Sequence, residues 1–364
     1  MHIVKKILDE VGRKLKSKYS VYVNPDELKQ LQEPLEFEEG KLCRGKFEKR
    51  QETSIDIIEK ILDIHGKGDI VKFLGKLAKI EPKIQDLQPW VRDHVVHAIN
   101  TFLLGVYFLE TVDFPTPEQS RFDYPFMWKL CGPTHDLGYP VEIAKNIDVQ
   151  FTNELNDIIR KSGAPSPQVT SDLLPTNLNM LCGGRDSNAL IQQRLREWGL
   201  DIDIDDYYNW LNNQNKTDHG VISALAQLKV VDAIYCANNP NRKTEDVVSN
   251  DFNYNQTNFD LDIVSASSAL FIHNIESSYA GFKQKISFEL APLAFLLFLC
   301  DTLQEWDRYA ENRPVYSGED FNLACTSNSI SMYIPKDIEK KVSSMLSNRL
   351  EGLTIYINGN VVVK

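Results

Sequence analysis

Residues 90–112 read WVRDHVVHAINTFLLGVYFLETV, and residues 289–306 read ELAPLAFLLFLCDTLQEW. In the first run Val91, Val95, Phe102, Val106 and Leu109 recur at helical spacing, which predicts a strong helix. The second is the most hydrophobic segment of the chain. It is too short to span a bilayer and is interrupted by Pro292 and Asp301, so it reads as a buried helix. Two such helices, each carrying a few polar residues in an apolar setting, point to a mainly α protein whose core contains chemistry.

Other helices follow on either side. The opening MHIVKKILDEVGRKLKSKY and SIDIIEKILDIHGKGDIVKFLGKLAKI are amphipathic, the latter broken near Gly66. After residues 90–112 come FDYPFMWKLCGPTHDLGYP and the helix VEIAKNIDVQFTNELNDIIRKS. Residues 163–186 are rich in Ser, Pro, Asn, Gly and Thr and read as a loop, ahead of the helix ALIQQRLREWGL. HGVISALAQLKVVDAIYCA resumes a core helix with Thr217 or Asp218 as its N-cap, and residues 240–258 form a second polar connection. Past Arg313-Pro314 the pattern changes: SISMYIP alternates like a strand, PKDIEKKVSSMLSNRL is helical, and LTIYINGNVVVK reads as a hairpin about Asn358-Gly359. The expected organisation is an N-terminal helical region (1–80), a helical domain (81–310) with an insertion at 163–216, and a small α+β appendix (315–364).

Composition narrows the function. A formal net charge of −11 argues against duplex nucleic acid as a partner, because such proteins carry basic patches. A small anionic substrate stays open, since bound cations reverse the local field. The six cysteines are scattered, with no CxxC pair, which excludes zinc-finger spacing and fits a reducing cytosol. The N-terminus lacks the apolar stretch of a secretory signal, so the expected location is cytoplasmic, with no membrane partner.

Of the seven histidines, His94, His97, His135, His219 and His273 lie in or beside apolar helical segments, where an imidazole without a partner is costly to desolvate. His135 is followed by Asp136, and Asp301 sits inside an apolar run. A metal ion is the usual partner for such a carboxylate. Six ligands exceed one tetrahedral site, so two adjacent divalent ions are the economical reading, with Asp136 placed to bridge them and hold a hydroxide between. Mixed imidazole and carboxylate ligation suits Mn, Fe, Zn, Ni or Co alike. His2 and His65, in lysine-rich amphipathic segments, are expected to be incidental.

The order His97 … His135-Asp136 … Asp301 resembles the defining pattern of the HD superfamily of metal-dependent phosphohydrolases. VVHAINTFLLG resembles its first motif helix, CGPTHDLGYP its HD turn and CDTLQEWDR the helix bearing its last Asp. DHGVISAL and FIHNIE resemble the two extra histidine helices of its binuclear members. The resemblance covers roughly residues 88–310 and implies an HD-domain helical bundle. In it His97, His135, Asp136 and Asp301 hold one metal, and His219 and His273 hold a second with Asp136 bridging. The implied activity is hydrolysis of a nucleotide-type phosphoester by a metal-activated hydroxide. Catalytic roles fall to Asp136 and to His94, which assists the leaving oxygen. Arg92, Lys129, Lys216 and Arg308 are candidates for phosphate contact, and Tyr139 for stacking on a base. The same ligand order also belongs to a di-iron oxygenase branch, and a nucleotide-sensing binding module is a third reading. The terminal elements offer surfaces for a homo-oligomer, with no heptad pattern to specify one.

Overall fold

The computed structural model describes residues 1–19, 25–33, 35–38, 41–62, 79–80, 92–116, 123–161, 177–238, 259–309 and 313–364. His65, the helix expected beyond Gly66 and the polar connection at 240–258 lie outside them, as does the loop expected at 163–186 up to residue 176.

The chain opens on α1 (Ile3–Ser17), whose Ile3, Val4, Ile7, Val11 and Leu15 form one buried stripe. A short α2 (Pro25–Gln30) and the strand pair β1 (Phe37–Glu38) and β2 (Lys41–Leu42) lead to α3 (Arg44–Leu62). Both α1 and α3 pack on α4 (Val95–Thr111), which is buried from Val95 through Phe108. This is the expected helix, but it starts later than the apolar pattern alone predicts. Arg92–His94 are non-helical, and the Asp93 carboxylate accepts the Val96 N–H at 3.2 Å, capping the first turn.

Next come α5 (Tyr124–Cys131), a 3-10 turn at Gly132–Thr134 and α6 (Tyr139–Lys161). Within the expected insertion, α7 (Ser187–Glu197) and α8 (Ile204–Asn213) are capped by Asp186 and Asp203. Then follow α9 (His219–Asn238), α10 (Val264–His273) and α11 (Pro292–Leu303). Of the two expected caps, Asp218 serves α9, accepting the Gly220 N–H at 2.8 Å.

The middle of the molecule is α10. All its residues are buried, and α5, α7, α9 and α11 pack around it. A helix covered on every side is apolar on every side, and where a neighbour comes close its residues are small. VSASSA provides such a surface against α9, and Gly220 returns it: a Cβ there would lie 2.7 Å from the Leu270 carbonyl oxygen. Gly138 makes the matching approach on the far side of α9, where a Cβ would stand 2.3 Å from the His219 carbonyl oxygen.

The C-terminal region is the expected small α+β unit. Strands β4 (Asn322–Thr326), β5 (Ser329–Tyr333), β7 (Thr354–Ile357) and β8 (Asn360–Val363) form one sheet in the order β4-β5-β7-β8. Helix α12 (Lys336–Arg349) makes the crossover that lets β5 and β7 run parallel. Asn358 and Gly359, with φ 50° and 83°, turn the β7–β8 hairpin in the primed conformation its twist requires. The sheet is not detached: Leu323, Ile330, Met332, Ile355 and Ile357 join the same hydrophobic cluster as the helices. A short parallel pair, β3 (Ile286–Ser287) with β6 (Leu350–Glu351), ties it to the helical part again. The chain is thus mainly α with a strand-bearing C-terminal unit. Among the described residues no helix is long and apolar enough to cross a membrane.

Candidate metal centre

The six expected ligands arrive from helix ends and one turn. His97 stands in the first turn of α4, and His135-Asp136 follow the 3-10 turn. His219 is the first residue of α9, His273 the last of α10, and Asp301 lies in the final turn of α11. Side-chain hydrogen bonds fix the turn against α9. Ser223 accepts the Gly138 N–H at 2.8 Å and donates to the His135 carbonyl at 2.8 Å.

The structure brings all six together. His97, His135 and Asp136 form one set of ligand atoms mutually within 4.8 Å; Asp136, His219 and His273 form another. Asp136 belongs to both and divides its oxygens. Oδ1 lies 3.2 Å from His219 Nε2, and Oδ2 lies 3.4 Å from His135 Nε2 and 3.8 Å from His97 Nε2. Asp301 Oδ1 joins the first set, 2.9 Å from His97 Nε2 and 3.8 Å from His135 Nε2. With its side chain 28% exposed, Asp301 marks the open side of the cluster.

The imidazoles share one arrangement. His135 Nδ1 donates to the Gly132 carbonyl at 2.8 Å, His273 Nδ1 to the Leu270 carbonyl at 2.6 Å, and His97 Nδ1 to Gln304 Oε1. His219 Nδ1 faces Glu142 Oε2 at 2.8 Å and the Asn274 amide nitrogen at 3.2 Å; the shorter contact, to a carboxylate, sets it as the donor. Each ring therefore holds a hydrogen on its outer nitrogen and turns Nε2 inward, where that of His97 meets Asp301 and that of His219 meets Asp136. The Nε2 atoms of His97 and His135 lie 3.1 Å apart, close enough to share a proton or a cation. His273 Nε2 is buried with no hydrogen-bond partner. Outer nitrogens bound to carbonyls, amides or carboxylates are the supporting pattern of metal-ligating histidines, so the donor set fits metal.

Electrostatics follow from this crowding. Burial alone would raise the Asp136 carboxyl, but the neighbouring His135 and His94 and hydrogen bonds from His219 and His94 hold it well below the usual carboxylate range. Asp301 is likewise lowered, its burial outweighed by His97. Burial brings His273 down to about 4. His219 runs the other way: burial is overcome by Asp136 and Glu142, which raise it well above its ordinary value.

The remaining sequence candidates separate. His94 Nδ1 bonds Asp136 Oδ2 at 2.6 Å, and its ring lies 3.7 Å from that of Tyr139. Tyr139 is thus a wall of the site, with His219 5.5 Å away on its other flank. Arg308 is half-buried, seven residues after Asp301. Burial lowers it, while Glu305, Asp301 and Asp136 favour its charge, and its Nε has no hydrogen-bond partner among the described residues. Arg92 is held at 2.5 Å by Glu305. Lys216 pairs with Glu276 at 2.7 Å and lines a separate cavity of about 320 Å³ with Asn179, Tyr208 and Asp218. Lys129 is buried in α5 and makes no described contact with the six ligands.

Sequence reasoning passed over Glu142 and Gln304. Gln304 carried a signal, since it follows Asp301 by one helical turn and so shares its face. Glu142 carried a weaker one, as an acid in the first turn of the helix after the His-Asp pair. His2, expected to be incidental, is 6% exposed and bonds Asp307 at 3.0 Å. The chain matches no family model, no curated protein and no solved structure. What the fold and the geometry define is a mainly α protein with His/Asp groups that can hold metal.

Proposed function

We propose that the chain is a metal-dependent phosphohydrolase of the HD type, acting on a nucleotide-class phosphoester. The observation that carries this reading is the gathering of four imidazoles and two carboxylates into two sets of ligand atoms that share Asp136. His97, His135, Asp136 and Asp301 would hold one divalent ion, and His219 and His273, sharing Asp136, a second. Ions bound there would supply Lewis acidity toward phosphate oxygens and make a water acidic enough to attack at neutral pH.

The chain's own groups do the rest. Arg308 binds a non-bridging phosphate oxygen, since its Nε is buried with no hydrogen-bond partner among the described residues. Arg92, locked by Glu305, adds to the positive field without being a contact itself. His94 donates its Nδ1 hydrogen to Asp136, which leaves Nε2 as an acceptor. It therefore takes a proton from the attacking water first and returns it to the leaving oxygen, Asp136 stabilising the imidazolium between the two steps. This refines the role the sequence gave it, which had the proton moving only outward.

The test is elemental analysis of the purified protein, with phosphate release from nucleotides and phosphodiesters followed under Mn, Fe and Ni, in air and anaerobically. The expected result is bound metal and anaerobic turnover, both lost in His135→Ala. Full turnover in that variant overturns the assignment. Turnover strictly dependent on oxygen gives the site to the oxygenase reading, and nucleotide binding without product gives it to the sensing reading.

A further inference from the structure

Two consecutive residues of α3, Arg50 and Gln51, are buried at 6% and 4% exposure, although both side chains are polar. Each is spent on a different buried carboxylate. Arg50 Nη2 reaches Asp307 Oδ2 at 3.1 Å, and Gln51 Nε2 reaches Asp93 Oδ1 at 2.9 Å. The Arg50 guanidinium is further fixed by the carbonyls of Glu33 at 2.9 Å and Leu31 at 3.3 Å. Asp307 also accepts from His2 Nε2 at 3.0 Å, so α1 and α3 converge on one carboxylate.

Both acids are sequence neighbours of the centre's non-ligand groups. Asp93 lies between Arg92 and His94, and Asp307 precedes Arg308. The two short segments are joined directly by the Asp93 N–H to the Tyr309 carbonyl at 3.0 Å. Asp307 holds φ at 57°, a left-handed conformation that costs energy for a residue with a side chain and persists only when its surroundings impose it. Its N–H is bound to the Tyr316 carbonyl at 2.8 Å, and its carboxylate to His2 and Arg50. At each acid the carboxylate turns to the N-terminal helices, while the adjacent His94 bonds Asp136 at 2.6 Å and the adjacent Arg308 holds its Nε buried, with no hydrogen-bond partner among the described residues.

We infer that Arg50 and Gln51, with His2 behind them, are positioning residues that aim Arg308 and His94 at the substrate's anionic group. The N-terminal helices thus complete the anion-binding side of the centre while contributing no ligand to it. The inference rests on the phosphoester reading, and the two fail differently.

The experiment uses the metal-loaded full chain, with inorganic phosphate as the probe in calorimetry and p-nitrophenyl phosphodiester hydrolysis for KM and kcat. Arg50→Met is expected to weaken phosphate binding by about tenfold, the scale on which a small misplacement of a positioned group acts. Its metal content should equal the parent's. In a double-mutant cycle, Arg50→Met added to Arg308→Ala should cost little beyond Arg308→Ala alone, because the first change acts through the second residue. Arg50→Lys should recover part of the affinity, and His2→Ala, a milder change at the chain's start, should show the same pattern at smaller size. If Arg50→Met does not fold, the His2→Ala cycle decides. Additive losses, or phosphate affinity falling only in step with metal content, overturn the inference and leave the function intact. A parent protein that holds metal yet neither binds phosphate nor hydrolyses the diester overturns both.

Discussion

At the scale of single residues, the centre depends on partners that never touch its interior. Glu142 binds both the Nδ1 and the backbone N–H of His219, and so fixes that ring's tautomer and its place at the head of α9. Replacing it by Ala should lower metal affinity by about 10- to 100-fold, the usual cost of losing such a partner. Chelator competition measures this, and parental affinity would show that His219 needs no orienting group. Glu305 permits a prediction in pH. Burial would raise its carboxyl, but Arg92, with Arg308 and Lys341, brings it down to about 2. A carboxyl depressed in the folded state stabilises above its unfolded value, about 4.3 for glutamate, and that stability fades as pH falls toward the folded value. Glu305→Gln should therefore flatten the acid limb of stability across that window in metal-free protein, as read from urea midpoints. An unchanged limb would show the Arg92 pair to be energetically idle. The six candidate ligands can be picked out in the sequence because each lies in or beside an apolar helical segment. Glu142 and Gln304 are not, because a polar residue at a helix end looks the same whether it meets solvent or an imidazole.

Elements pose a different problem of legibility. The longer helices can be read from period alone, and the hairpin from Asn358-Gly359, because both signals are local; the shorter α5 and α8 are not read as helices. Strand β4 was not read, since NLACT has no run of alternating apolar residues, its burial alternating only loosely. The parallel pairing of β5 with β7 is likewise silent, being set by the crossover of α12 rather than by any residue in either strand. Nor does hydrophobic period show where α4 begins, because Asp93 ends the lead-in by capping and not by any loss of apolar character. The close contact of α9 with α10 gives a test at this scale. Gly220→Ala would place a methyl group 2.7 Å from the Leu270 carbonyl and 3.0 Å from the His273 ring, so the helices must part. Overpacking of this kind costs about 1–3 kcal/mol. Because His219 and His273 ride on these two helices, denaturant unfolding and metal affinity should fall together. A variant stable but unable to hold metal, or the reverse, would uncouple helix packing from the ligand geometry.

Across the whole molecule, N-terminal helices, helical core and C-terminal sheet share one hydrophobic cluster, and polar links such as His2 to Asp307 close the chain on itself. Such long-range links leave no trace in a sequence, since neither residue has a local reason to expect the other. If the centre holds metal, removing it should loosen this assembly, because the ion's bonds tie together side chains from separate helices. Ligation by groups that come together only in the folded state adds about 2.7 kcal/mol at a hundredfold excess over Kd. Chelation should therefore lower the melting temperature, and a melting curve indifferent to chelator would argue against an occupied centre.

His97 and Asp301, in contact at 2.9 Å, stand 204 positions apart along the chain. A polypeptide leaving the ribosome would own five of the six candidate ligands before α11 emerged with Asp301. A truncated translation product ending before α11 would therefore hold every member of the Asp136, His219 and His273 set, while the set around His97 and His135 would lack the carboxylate that closes it.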